Sequence, residues 1–235
     1  MTLKNLMPAT VLLIAGAALA GSLKSFDELL REHGIELTNE AVVQALENPN
    51  PEVRWLAAYK LAADRQVDVI PAVRGALAAD PRWSNRLNIG YALAQLGDDV
   101  GFETLTQVCR SAEPLLHRAT AARYLIGLGD PSCFEPLLGL LETEDTDAKI
   151  VALSLLGEFE GQVPDLEDRV LTPILDALVD ATPAVRLAAV SALDLLDPVT
   201  AVKHLEAAAE DEKDESVRSR MMDEVRRLKR LEGVE

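Results

Sequence analysis

The sequence predicts an all-α solenoid, and two observations carry that expectation. A basic residue returns at Arg54, Arg86, Arg118, Lys149, Arg186 and Arg218, a period of about 32 residues that lengthens once, between Lys149 and Arg186, and a period in this range marks stacked supersecondary units. Composition agrees: 49% of the 235 residues are hydrophobic but only 4% are aromatic, so the apolar surface comes from Ala and Leu and does not look like an ordinary β-rich core.

Each unit carries the same apolar ladder. Seven residues past the basic position stand Leu61, Leu93, Leu125, Leu156, Leu193 and Val225, and ten past it stand Asp64, Leu96, Leu128, Phe159, Leu196 and Leu228. Four past it, Ala58, Gly90, Ala122, Leu153, Val190 and Met222 complete one apolar face at helical spacing. Small residues there let neighbouring helices approach closely. Leu96-Gly97-Asp98 and Leu128-Gly129-Asp130 place Gly at a helix C-terminus, while Asn48-Pro49-Asn50-Pro51, Asp80-Pro81 and Thr182-Pro183 supply polar caps and a fixed φ before the next helix. Second helices are predicted over residues 68–79, 102–111, 133–142, 166–179 and 199–210. A shorter pair, 25–33 and 39–47, comes first, with Ser25 as its cap and Gly34 as its stop, and an unpaired helix, 215–232, comes last.

Pro51-Glu52-Val53-Arg54, Pro183-Ala184-Val185-Arg186, and Leu128-Gly129-Asp130-Pro131 running on to Leu137-Leu138-Gly139-Leu140-Leu141 resemble the HEAT-repeat superfamily, specifically the short bacterial HEAT-like repeats first recognised in phycobilisome (PBS) lyases. The resemblance covers residues 40–230. It implies a right-handed α-solenoid of about six helix pairs (25–48, 51–79, 83–111, 114–142, 146–179 and 183–210) with a capping helix at 215–232, forming one domain over residues 21–235. Such pairs bury their apolar faces only by stacking, so the ladder residues are expected in the core. The basic residues are expected to bind the preceding acidic turn or helix-end carbonyls.

The N-terminus has a different character. Lys4 is followed by an apolar and small-residue stretch over residues 7–21, ending in Ala18-Leu19-Ala20 before Gly21. The stretch is short for a membrane span and fits a secretory signal peptide, residues 1–20, cleaved between Ala20 and Gly21. The expectation is a periplasmic or extracellular protein with no stable membrane insertion after cleavage; an uncleaved N-terminal anchor is the alternative. With 23 Lys and Arg against 39 Asp and Glu, the net charge is −16, which argues against nucleic acid as a partner.

Catalytic material is thin. His33, His117 and His204 occupy unrelated register positions without His or Cys partners at ligand spacing, so no catalytic residue, cofactor site or metal site is assigned. HEAT-like metal-dependent hydroxylases use repeated His-Glu pairs, and no His-Glu dipeptide occurs here; HEAT-like DNA glycosylases rely on a basic concave surface, which this acidic chain lacks. The register sets Cys109 and Cys133 about eight helical residues apart, roughly 12 Å, so both are expected as free thiols, Cys109 in the core.

The expected function is therefore a non-enzymatic protein-interaction module or scaffold, whose partner is another protein; a lyase-type or hydroxylase-type repeat enzyme, or an accessory of one, is the alternative. The docking candidates are Trp55, Tyr59, Trp83 and Tyr91. Tyr59 and Tyr91 sit five past the ladder, where later units carry Arg123, Ser154, Ser191 and Asp223, so exposure is expected and Trp and Tyr suit an interface. The competing reading makes these rings a cover for a thin N-terminal core. An insertion within residues 158–168 and the charged run from Glu206 to Arg230 are read as a surface loop and a solvated cap.

Overall fold

A computed structural model describes residues 24–158, 167–196 and 198–232, and all regular structure among them is helical. The helices follow in pairs: α1 (Phe26–Glu32) with α2 (Asn39–Gln44), α3 (Pro51–Ala63) with α4 (Ile70–Ala79), α5 (Trp83–Gln95) with α6 (Asp99–Arg110), α7 (Leu115–Gly127) with α8 (Phe134–Leu141), α9 (Thr146–Gly157) with α10 (Glu167–Ala177), and α11 (Pro183–Leu193) with α12 (Pro198–Asp211). α13 (Glu215–Glu232) has no partner of its own. This is an all-α solenoid architecture. The expected leader, with its Ala20–Gly21 cleavage point, and most of the 158–168 insertion lie outside the described residues.

Capping fixes the helix starts. The Ser25 hydroxyl accepts the Glu28 N–H while the Glu28 carboxylate accepts the Ser25 N–H, closing a capping box on α1. Asn50, Asp98 and Asp145 accept backbone N–H groups in the first turns of α3, α6 and α9. The Asp98 cap starts α6 three residues earlier than the spacing predicts.

Left-handed residues end the first helices. Gly34, Gly97 and Gly129 have φ of 75°, 79° and 72°, and Arg65, at the same register position, has φ of 55°. The C-terminal closing bond recurs: Ile35 N–H donates to the Leu30 carbonyl, Gln66 to Leu61 and Asp98 to Leu93.

Packing follows the ladder. Leu61, Leu93, Leu125, Leu156, Leu193 and Val225 are all at most 2% exposed. Four past the basic residue, Ala58, Gly90, Ala122, Leu153 and Val190 are buried, with Met222 half-buried. Gly90 and Gly101 mark a tight helix contact: a Cβ on Gly101 would lie 2.3 Å from the Ala94 nitrogen and 2.5 Å from the Gly90 carbonyl, so α5 and α6 meet backbone to backbone. The chain divides after Leu128 into two compact units. In the first, α3 packs between α1 and α5, and α6 packs on α5 and α7; in the second, α9 packs on α8 and α11, and α13 on α11 and α12.

One expectation about the core is overturned. Cys109 and Cys133 are disulfide-bonded and no cysteine is free. The wide separation expected for them presumed that Cys133 lies within a second helix; instead it closes a 3₁₀ turn, Pro131–Cys133, ahead of α8, so a helical rise per residue does not measure its position. Both side chains are buried, 2% and 0% exposed.

Candidate acidic grooves and an aromatic cluster

The basic ladder builds the junctions between repeats. Arg54 donates from Nε to Asp80 at 2.7 Å and from Nη1 to the Asn48 and Pro49 carbonyls at 2.8 and 3.2 Å. Arg186 repeats the pattern, with two bonds to Glu212 at 2.7 and 2.9 Å and Nη1 on the Asp180 and Ala181 carbonyls. Lys149 pairs with Asp180 at 2.8 Å. The carbonyls thus come from the preceding turn, as expected, but the carboxylates come from the following one.

Each acid also accepts the N–H two residues on: Arg82 on Asp80, Thr182 on Asp180, Asp214 on Glu212. One carboxylate therefore ties a base to the turn that starts the next repeat. Burial pushes the Asp80 carboxyl up, but hydrogen bonds from Arg54, Asn85 and the Arg82 N–H bring it below the ordinary aspartate value. Asp180 is lowered likewise against its burial by Lys149 and the Thr182 N–H, and Glu212 chiefly by Arg186. Arg86 departs from the pattern, because the position corresponding to Asp80 and Glu212 holds Ala112; its guanidinium lies over the Trp83 ring, 4.5 Å from the centroid.

These junctions line grooves between neighbouring second helices. In the first unit a groove of about 1010 Å³ runs between α2 and α4, with the Arg54–Asp80 pair in its lining. Its wall is small and apolar at Ala72, Gly75 and Ala79, and its rim carries the exposed Glu40 and Glu47, with Arg82 the one exposed base. A side-chain carbon added at Gly75 would meet nothing within 4 Å. The second unit has a smaller counterpart: a groove of about 380 Å³ between α8 and α10, lined by Lys149 and Asp180 and by the larger Leu138, Leu141 and Pro173, with the exposed Glu142 and Asp176 on it. Among the described residues, no three His, Cys, Asp or Glu side chains could jointly hold a metal ion, and no helix is long and apolar enough to cross a membrane.

The aromatic candidates separate into two places. Trp55, Tyr59 and Tyr91 come together: Trp55 meets Tyr59 edge-on at 5.5 Å, Tyr59 meets Tyr91 at 5.6 Å, Phe26 covers Tyr59 at 5.3 Å, and Tyr91 stacks on Tyr124 at 4.3 Å. Trp83 stands apart, half-buried beneath Arg86. The exposure expected for Tyr59 and Tyr91 is contradicted, since they are 5% and 2% exposed. Their register position does face outward, as the exposed Ser154, Ser191 and Asp223 demonstrate, but here the rings bury one another. Trp55 and Trp83 alone of the four keep an accessible edge.

The sequence register passes over Tyr124, which stands one position beyond the equivalent of Tyr91; the repeat assigns that place to Arg123. The Tyr124 hydroxyl donates to the Asn88 Oδ1 at 2.5 Å. Burial pushes Tyr124 up to about 12 and Tyr59 well above the ordinary tyrosine value. Trp55, Tyr59, Asn88, Leu116 and Tyr124 line a cavity of about 270 Å³ on the side of the first helices.

Residues 39–125 match the family of HEAT repeats. Three solved structures are similar in fold: human deoxyhypusine hydroxylase in complex with glycerol, at 18% identity and TM-score 0.41 over 80% of this chain and 73% of that one; the complex of CpcE and CpcF of phycocyanin lyase from Nostoc sp. PCC7120, at 18% and 0.49 over 93% and 100%; and an engineered protein, at 19% and 0.41 over 81% and 96%. No curated protein sequence matches the chain. The α2–α4 groove and, apart from Phe26, the aromatic cluster lie within residues 39–125, the stretch that matches HEAT repeats.

Proposed function

We propose that this protein is a non-enzymatic, exported interaction module, and that its second-helix grooves take a basic, extended segment of another protein. The observation that carries this reading is the recurrence of a second-helix groove in both units, each with a junction ion pair in its lining and two exposed acids, the larger one also walled by Ala72, Gly75 and Ala79. Small side chains leave room for a backbone, and the rim acids and the net charge of −16 favour a cationic occupant. The same charge opposes nucleic acid. The buried disulfide supports export, because such bonds persist in oxidising compartments.

The test is a fluorescence-anisotropy titration with a twelve-residue peptide of repeating Lys-Pro-Leu, against a matching Glu-Pro-Leu peptide. The basic peptide is expected to bind and the acidic one not. Glu40→Lys with Glu47→Lys should weaken binding at least fivefold with helicity unchanged, and higher salt should weaken it further. Equal binding of both peptides, or an unaffected double variant, would overturn the reading. A mature N-terminus at Gly21 is the expected sign of export, and stoichiometric tightly bound iron would defeat the non-enzymatic assignment.

A further inference from the structure

The cavity of about 270 Å³ among the first helices of the first unit is chemically unlike the acidic grooves, and it holds the hydrogen bond between Tyr124 and Asn88. A phenol has one proton to give. Tyr124 gives its own to the Asn88 Oδ1 at 2.5 Å. That direction fixes the orientation of the Asn88 amide, because the atom facing Tyr124 must be the acceptor. The Asn88 NH₂ is thereby turned away from Tyr124 and takes no protein acceptor among the described residues, while the side chain lines the cavity and stays half-exposed. An amide whose oxygen accepts a hydrogen bond is polarised by it, which strengthens its NH₂ as a donor.

Rings make up much of the wall, Phe26, Trp55, Tyr59 and Tyr124, with Leu87 and the 73% exposed Leu116 beside them, and Ser84, His117 and Thr120 complete the lining. A space of this size lies just below the range of drug-sized pockets and suits a single ring with one substituent. We propose that this cavity binds a small planar ring compound carrying a hydrogen-bond acceptor, such as a carbonyl, with the ring against Trp55 and Tyr59 and the acceptor on the Asn88 NH₂. An ammonium ligand is disfavoured, since the amide presents donors. This site stands independently of the acidic grooves.

The probes are benzamide, which has the acceptor, and toluene, which has the ring alone, titrated by NMR with the Asn88 side-chain amide resonances as reporter. Benzamide is expected to bind at least fivefold more tightly than toluene and to shift those resonances. Asn88→Asp still accepts the Tyr124 proton but has no donor, so it should bring benzamide to within twofold of toluene. Thr120→Phe, which fills the cavity from its wall, should abolish binding of both. Equal affinity of the two probes for the unaltered protein, an unmoved Asn88 amide, or an unchanged preference in Asn88→Asp would overturn the proposal.

Discussion

Arg65 carries a conformational cost that its register equivalents avoid. It holds φ of 55° where Gly97 and Gly129 hold 79° and 72°, and a side chain in that region is crowded by its own carbonyl. Arg65→Gly is therefore expected to stabilise the protein by about 0.5–1 kcal/mol, after allowing for the looser unfolded chain. Gly97→Ala should cost about 1 kcal/mol for the same reason. Urea unfolding, read as a midpoint shift at constant slope, measures both; a destabilised Arg65→Gly would show that the Arg side chain makes compensating contacts. Gly101 is a different case, because its neighbours are backbone atoms 2.3 and 2.5 Å from where a Cβ would stand. Gly101→Ala must push α5 and α6 apart and should cost about 3 kcal/mol.

At the scale of the helix pair, the junction acids make stability depend on pH in one direction. Asp80, Asp180 and Glu212 all titrate below their ordinary values when folded. Their contribution is complete above the unfolded carboxyl values, about 4, and is lost as pH falls through the lower folded values. Thermal stability should therefore drop as acid passes below about pH 4. Asp80→Asn removes the charge that Arg54 faces, with the Asp80 side chain wholly buried, and should cost about 2 kcal/mol at pH 7. The gap between variant and parent should narrow as pH falls toward about 3, where the parent's carboxylates take up protons; a gap independent of pH would assign Asp80 to shape alone. The bases of these junctions are legible in sequence, as are most helix bounds, because a regular period and the capping residues are local signals. α13 begins and ends where the charge pattern and spacing place it. The acids are read from the wrong turn, since a carboxylate 26 or 31 residues downstream is a partner only once the repeats stack. The burial of Tyr59 and Tyr91 is hidden for the same reason: the outward register position is real, but the covering rings come from Phe26 and Tyr124, in other helices. The groove rims are invisible too, because Glu40, Glu47, Glu142 and Asp176 look like ordinary solvated charges until the repeats stack and set them along a groove.

For the whole molecule, the disulfide constrains the unfolded chain more than the folded one. Joining Cys109 to Cys133 closes a loop of about 25 residues, and the lost freedom of that loop in the unfolded ensemble corresponds to about 3 kcal/mol of stability. The folded chain also hides the bond, with both sulfur-bearing side chains buried, so a reductant reaches it mainly through opened molecules. Dithiothreitol at neutral pH should accordingly leave the native protein oxidised for far longer than a partly denatured sample, as followed by mass after alkylation. The Cys109→Ala, Cys133→Ala double variant should unfold at lower urea by an amount equivalent to about 3 kcal/mol, with the helical spectrum of the folded state retained. A carboxylate-rich chain of net charge −16 repels itself in the compact state, so both proteins should lose stability at low ionic strength, and the variant, with less in reserve, should be the first to unfold there. If the double variant matches the parent in urea midpoint and in stability at low ionic strength, the bond is dispensable to the fold.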